Sequence, residues 1–495
     1  MIHILGLALL SIVLSLEPSF VHAQSIDQNS VTRGTAPRAI TRRMIPFTII
    51  ESGKYQLADN ITFTKPGAAI TIAADNVQLN LAAHSIELTD AKAIGIDVKS
   101  ITEFVIENDN IKNTSSSPQT GFGIRVKGAR KGLIQNVFTV NHLAGLRIED
   151  SVDIRVEGSE FFHATEAGAS VVASKNIAFT ACAFDASGNG LKFSGANQDC
   201  SMMNCKVPSS KFQNLLVQQM NGMIVEGCLF TETGSGDPTK ASLVQFGDAK
   251  PAQVCNDVIF KNCNIVNKSS NTAPEGLGIY QGSGFLVEDC VIDITNVGTD
   301  PAADLSCIHI SNPGLGTGTI AKNVIIRNCV ITGSPTDGIY PDTGPGGGAG
   351  SSNVLMEGCL VTGALKDGIF IAGTSDSTVR NCTVVNNGTN GIFIGETSPS
   401  NSVIDNVVSN NGASIIVSSL LPQGTGIGIA SDSSKNMIQH NQVFNNATYG
   451  INDLGSSNHS YFNTAHGNIT ANYSAGITNV SAPGAAAKAG ENISA

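Results

Sequence analysis

Between Ala321 and Gly395 the sequence repeats one pattern three times: NVIIRNCVITGSPTDGIYPD, NVLMEGCLVTGALKDGIFIAG and STVRNCTVVNNGTNGIFIG. Each copy holds a short apolar strand, an Asn or Gly followed by Cys, a second apolar strand, a polar turn and a Gly-Ile strand. Successive copies, taken from Asn328, Gly358 and Asn381, are spaced 30 and 23 residues apart. A period of that length, built from strands and turns alone, predicts a stacked solenoid rather than a sandwich.

Two columns extend the pattern through the chain. One is the Gly-Ile pair, at Gly95-Ile96, Gly123-Ile124, Gly145-Leu146, Gly190-Leu191, Gly278-Ile279, Gly338-Ile339, Gly368-Ile369, Gly391-Ile392, Gly426-Ile427 and Gly450-Ile451. Weaker copies at Gly168-Ala169, Asn214-Leu215, Ser242-Leu243 and Cys307-Ile308 bring the expectation to fourteen or more rungs. At about 4.8 Å per stacked strand the rod is roughly 65 Å long. Gly or Asn at these corners suits a residue with positive φ. The other column is Cys182, Cys205, Cys228, Cys263, Cys290, Cys329, Cys359 and Cys382, with Val407 and Gln442 expected to continue it. An apolar residue stands two positions after each Cys, so strand alternation puts both on the interior face.

Composition fits this all-β reading. Charged residues make up 14%, Gly number 52 and Trp is absent, a mixture that suits strands and tight turns better than long helices. The net charge of −11 speaks against nucleic acid or anionic lipid as partners of the whole surface. Ile4 to Leu16 is an apolar core ahead of Val21-His22-Ala23, so 1–23 is expected to be a signal peptide. No later run approaches the ~20 apolar residues that span a bilayer. The expected organisation is then a linker or arm over 24–45, the solenoid over 46–473, and a cap and flexible tail over 474–495. The protein is expected to be a monomer, secreted, periplasmic or on the cell surface, without integral membrane association.

Eleven cysteines in an exported chain raise the question of disulfides. Parallel stacked thiols do not point at each other, so the column is expected to be free and buried. Cys200, Cys255 and Cys307 lie outside it and are the better placed to pair. A ladder does not converge ligands on a metal, so no metal site and no cofactor is expected; calcium has no site that the sequence identifies.

These columns, together with the opening strand Asn76-Val77-Gln78-Leu79-Asn80-Leu81, resemble the right-handed parallel β-helix superfamily that includes pectate lyases, polygalacturonases and alginate epimerases. The resemblance covers about residues 47–470 and implies a single-stranded right-handed parallel β-helix. The motifs by which those enzymes work are missing: there is no Asp-Asp pair, no Gly-His-Gly, no Arg-Ile-Lys and no Asp-Pro-His-Asp.

The expected working surface is the outward row beside the Gly-Ile column. The residue after each pair gives Asp97, Arg125, Arg147, Ser170 and Lys192 in early rungs, then Tyr280, His309, Tyr340, Phe370 and Phe393. Rings in one row offer sugars a stacking strip, with hydrogen bonds from Tyr and His. Arg125, Arg147 and Lys192, with Lys99 and Lys127 on the same face, suit uronate or sulfate. The same row under a covering loop, contributed by Thr295–Ser306 or Asp342–Ser352, is the structural alternative. Acids and bases near the strip are Glu275, Asp304, His309, Asp337, Asp342 and Asp367. His309 with Asp342 is the base and acid pair singled out, while Asp337 and Asp367 precede Gly and suit turns.

Two classes of function follow. One is a secreted protein that binds, and as a lyase or glycoside hydrolase cleaves, an acidic polysaccharide or cell-surface glycan through an aromatic groove. The other is a non-enzymatic, adhesin-like or structural rod.

Overall fold

The computed structural model describes residues 36–231, 242–247, 253–267, 275–294, 305–311, 320–343, 350–412, 424–474, 477, 480–481 and 492–494. The signal-like segment, Asp304 and most of the two expected covering loops lie outside them.

Each turn of the chain lays down three short strands. In one turn they are Val152–Glu157, Glu160–Ala164 and Ala167–Val172, and the next begins at Lys175. Every strand pairs in parallel with its counterparts one turn before and after: Ile154↔Ile177, Phe161↔Phe184 and Leu146↔Ala169. The result is an all-β, right-handed parallel β-helix of about 15 turns.

The inward side chains form one continuous core that runs from Ile40 to Ile477. Alternation along each strand supplies it, as in the buried Val-x-Leu of Val77–Asn80. The core begins earlier than position 46, because Arg38–Ile40 already pairs with Tyr55–Leu57 inside the stretch expected to be an arm. It also ends later. Asn492–Ser494 pairs with Thr464–His466, so residues expected in a flexible tail add a strand.

The two columns are present, but their chemistry differs from the sequence expectation in two respects. The glycines of the Gly-Ile column do not have positive φ. They are needed because the next turn comes too close: a Cβ on Gly123 would sit 2.5 Å from the Gly145 carbonyl oxygen, and one on Gly391 would sit 2.7 Å from that of Gly426. Positive φ belongs to the residue before each Cys, with Asn204, Asn262, Asn328 and Asn381 at 52° to 54°. Asn and Gly are the residues that tolerate this conformation best.

The second difference lies in how the Cys column continues. Thr383 pairs with Val407 and Val407 with Gln442, so the interior position of Cys382 is taken over by Asn406 and Asn441 rather than Val407 and Gln442. The Cys382 amide donates to Asn406 Oδ1, and the Asn406, Asn441 and Asn463 amides each donate to the next Asn, ending at Asn492. Side-chain amides join the same residues, with Asn406 Nδ2 to Asn441 Oδ1 at 3.0 Å. Cysteine does a weaker version of this work, as in Cys329 Sγ donating to the Arg327 carbonyl. All eleven cysteines are free and buried, including Cys200, Cys255 and Cys307. Burial pushes those three thiols up to about 12, which removes their thiolate reactivity.

Two substitutions test this account of the stacking. Gly123→Ala forces a Cβ against backbone and is expected to cost about 1–3 kcal/mol, the usual range for overpacking. Asn441→Ala removes both acceptor and donor from the interior row and is expected to cost about 2 kcal/mol or more. Thermal unfolding of both variants reads the effect, and unchanged midpoints would contradict the account.

Candidate functional site

The outward row next to the Gly-Ile column is fixed by strand register. Arg125 pairs with Arg147, Ser170 with Lys192, Lys192 with Leu216, Leu216 with Gln245, Gln245 with Gly278, Gly278 with His309 and His309 with Tyr340. Phe370 pairs with Phe393 one turn further on. The expected rung pairs Gly278-Ile279 and Ser242-Leu243 are therefore out of step: the true ones are Gly276-Leu277 and Leu243-Val244. Gly278, not Tyr280, holds the row position beside His309.

That correction, two residues for the first pair and one for the second, explains how Tyr280 reaches the site. Gly278 has no side chain, and the Tyr280 ring folds back across it: a Cβ on Gly278 would lie 2.3 Å from Ser242 Oγ and 2.9 Å from Tyr280 Cζ. The Tyr280 hydroxyl donates to Glu275 Oε2 at 2.5 Å, and Ser242 Oγ donates to the same oxygen at 2.6 Å. The other oxygen, Oε1, faces His309 Nδ1 at 2.6 Å. On the far side of the imidazole, Nε2 is 3.4 Å from Asp342 Oδ1. His309 is thus held between two carboxylates, with Glu275 fixed by three donors.

The electrostatics follow from burial and pairing. Glu275 is 3% exposed, Asp342 8% and His309 9%. Burial alone pushes the imidazole down, but the charge of Glu275 and the facing carboxylate of Asp342 outweigh it, and its pKa rises to about 10. At neutral pH His309 is an imidazolium and cannot serve as the base of the expected pair; any base is a carboxylate. Burial and the adjacent Glu275 charge hold the Tyr280 hydroxyl well above its ordinary value, so it stays a neutral donor.

The rings are in one row, yet they do not form an open stacking strip. His309 and Tyr340 stack with centroids 5.1 Å apart and planes at 16°, Tyr340 and Phe370 at 5.2 Å and 18°, and Phe370 and Phe393 at 5.3 Å and 35°. Their faces are spent on one another, leaving edges outward. Tyr280 meets His309 edge to face at 5.8 Å. Tyr280, His309 and Tyr340 are buried, while Phe370 and Phe393 are partly exposed. The expected aromatic groove is therefore closed around its polar half.

The basic residues stand elsewhere and are already paired. Arg125 grips Asp97 through two hydrogen bonds of 2.9 and 2.8 Å, Arg147 pairs with Glu149, and Lys192 Nζ is 3.1 Å from Glu166. By register Lys192 lies four turns from His309 and Arg125 seven, roughly 20 and 35 Å at the spacing of stacked strands. Asp337 and Asp367 act as turn residues: Asp337 Oδ1 accepts from the Asp367 amide, and Asp367 Oδ1 from the Asn390 amide and the Thr389 hydroxyl. Ser242 was not among the sequence candidates. It stands 33 residues before Glu275, across an insertion that hides its register. Among the described residues, no group of three or more His, Cys, Asp and Glu is placed to hold a metal ion, and no helix is long and apolar enough to cross a membrane.

The clamp on His309 can be read by pH. Its folded-state pKa lies above the ordinary value near 6.5, so its pairing stabilises the fold fully below about pH 6.5 and is lost as pH rises through about 10. Nitrogen-15 spectra of the imidazoles are expected to show one ring still protonated at pH 8.5 and titrating near neutrality in Glu275→Gln. A ring that titrates near pH 6 in the unaltered protein would contradict the clamp.

No curated protein matches the chain in sequence. Among solved structures it is similar to the Geobacillus virus E2 ORF18 protein, with 14% identity, 53% of this chain and 52% of that one covered, and a TM-score of 0.39. It thus spans about half of that protein's length. It is also similar to the catalytic unit of the GH87 α-1,3-glucanase of Streptomyces thermodiastaticus, with 12% identity, 83% and 70% coverage and a TM-score of 0.43. A third is the family 28 exopolygalacturonase of Yersinia enterocolitica, with 10% identity, 75% and 78% coverage and a TM-score of 0.42. At these scores none of the three bears on what the chain does. The model of the right handed beta helix region matches residues 49–207 and 303–466, well over half of the chain, and the protein belongs to that family.

Proposed function

We propose that this is an exported polysaccharide-binding protein that meets its ligand on the outward face of the Gly-Ile sheet, at His309 and Asp342. The observation that carries the reading is the imidazolium held between the buried carboxylates of Glu275 and Asp342. Burying three charges is costly, and replacing such a group by apolar residues is often neutral or stabilising. Equivalent places in the same row are filled by Leu216, Gly278, Phe370 and Phe393 as well as by polar and charged residues, so stacking alone does not require this group. Strongly shifted ionisable groups of this kind concentrate at functional sites. Export is supported by the signal-like composition of 1–23.

Recognition fits the geometry better than cleavage. Hydrolases that use two groups place them on either side of the glycosidic bond, roughly 5 Å or more apart. His309 Nε2 and Asp342 Oδ1 are 3.4 Å apart and leave no room for that linkage between them. The second reading, a non-enzymatic rod, is favoured by one observation: the rings of the row spend their faces on each other instead of offering them to sugars.

A glycan array followed by affinity electrophoresis and product analysis tests both. The intact protein is expected to be retained by at least one polysaccharide without releasing fragments. Asp342→Asn is expected to weaken retention about tenfold, the worth of one charged hydrogen bond, with little change in melting temperature. No retention on any polymer would leave the rod reading standing.

A further inference from the structure

Strand register sets two further rows side by side on the outward face of the first strand of each turn. One is apolar: Ile224 pairs with Ile259, Ile259 with Leu286, Leu286 with Ile325 and Ile325 with Leu355. All five are partly exposed. The row is about 19 Å long at the spacing of stacked strands. Ser201 precedes it and Thr378 follows it, so the stripe has defined ends. Single exposed aliphatic side chains are ordinary, but a contiguous stripe marks a surface that a partner covers.

The second row stands two residues further along the same strands and alternates in charge: Glu226, Lys261, Glu288, Arg327, Glu357 and Arg380. Within the chain Lys261 pairs with Glu226 at 3.2 Å, Arg327 with Glu288 at 2.8 Å and Arg380 with Glu357 at 2.8 Å. Each side chain keeps part of its surface in solvent. Alternation avoids stacking like charges. It also makes the row its own complement when read backwards.

That property selects a partner. Two copies facing each other with their rods antiparallel are related by a two-fold axis that runs across the rows. Stripe then lies on stripe, and the charged row lies on itself in reverse order. Glu288 meets the partner's Arg327, Lys261 meets the partner's Glu357 and Glu226 meets the partner's Arg380. Parallel rods would set the charges against the row on the other side of the stripe instead. That row is Asn221, Asn256, Ser283, Lys322 and Ser352, with one cation and no carboxylate.

We propose that this face joins two copies of the chain in an antiparallel dimer, sealed by the aliphatic stripe and registered by the alternating charges. Such a two-fold contact closes on itself and stops at the dimer. It departs from the monomer expected of the sequence. It does not depend on polysaccharide binding either, since His309 lies on the third strand of its turn and its row stays uncovered.

Sedimentation velocity of the full chain over about 1–100 µM tests it, with a concentration-dependent dimer as the expected result. Leu286→Glu and Ile325→Glu, each checked for an unchanged melting curve, are expected to weaken association at least about tenfold. The charges give a sharper test. Glu288→Arg alone, or Arg327→Glu alone, sets like charges together at the centre of the face and is expected to weaken association to a similar extent. Mixing these two variants restores every opposite pair and is expected to give a one-to-one heterodimer. Loss of the ion pair within each chain is the same before and after mixing, so it does not produce that recovery. A protein that stays monomeric throughout would overturn the proposal. So would a dimer untouched by both stripe variants, or a mixture that associates no better than either variant alone.

Discussion

Everything in this molecule rests on the backbone ladder between one turn and the next. Each strand donates to the strand above and accepts from the strand below, so neighbouring turns are held at a single strand spacing along the whole rod. That spacing is too short for a Cβ at the Gly-Ile corner, where the next carbonyl stands in the way. It also places every side chain directly above its counterpart one turn away. A position in the turn therefore becomes a row, and a row is stable only if its members tolerate each other.

The rows solve this in different ways. Cysteines stack as small apolar groups, and asparagines hand hydrogen bonds from turn to turn until Asn492 closes the column. Rings stack face to face along His309, Tyr340, Phe370 and Phe393. Charges are the difficult case, because like charges at one strand spacing repel. The early outward row handles them by pairing Arg125 with Asp97, which burial pushes up but the guanidinium and Lys99 bring below the ordinary carboxylate range. The row at His309 handles them differently. Two carboxylates from different positions in the turn converge on one imidazole, and Gly278 leaves the space through which Tyr280 reaches the first of them.

The fold was legible because two columns with different residue types gave the same period. Corner residues such as Asn328 and Asn381 were readable too, although the need for positive φ was placed one column away from where it belongs. The register errors have a physical origin. Between Asn214 and Cys307 the turns carry insertions of unequal length, and a one-residue slip along a strand exchanges its two faces. Ser242 was overlooked through such a slip, whereas Tyr280, two residues beyond Gly278, was put in its row without a change of face. His309 and Asp342 were found because the pairs Cys307-Ile308 and Gly338-Ile339 were read in their true register. Their charge state was not readable: it depends on Glu275, more than thirty residues earlier, and on burial that no local pattern reports.

The site is thus a small charged interruption in a structure otherwise built from repeated like-on-like contacts. Its central claim is that a bound polysaccharide meets the outward face at His309 and Asp342. A high-resolution structure of the protein with an oligosaccharide of a polymer that it retains tests this most directly. A sugar oxygen within about 3 Å of the Asp342 carboxylate or the His309 ring is the predicted result. A sugar seated on the Arg125 and Arg147 rungs, with none at His309, would contradict it.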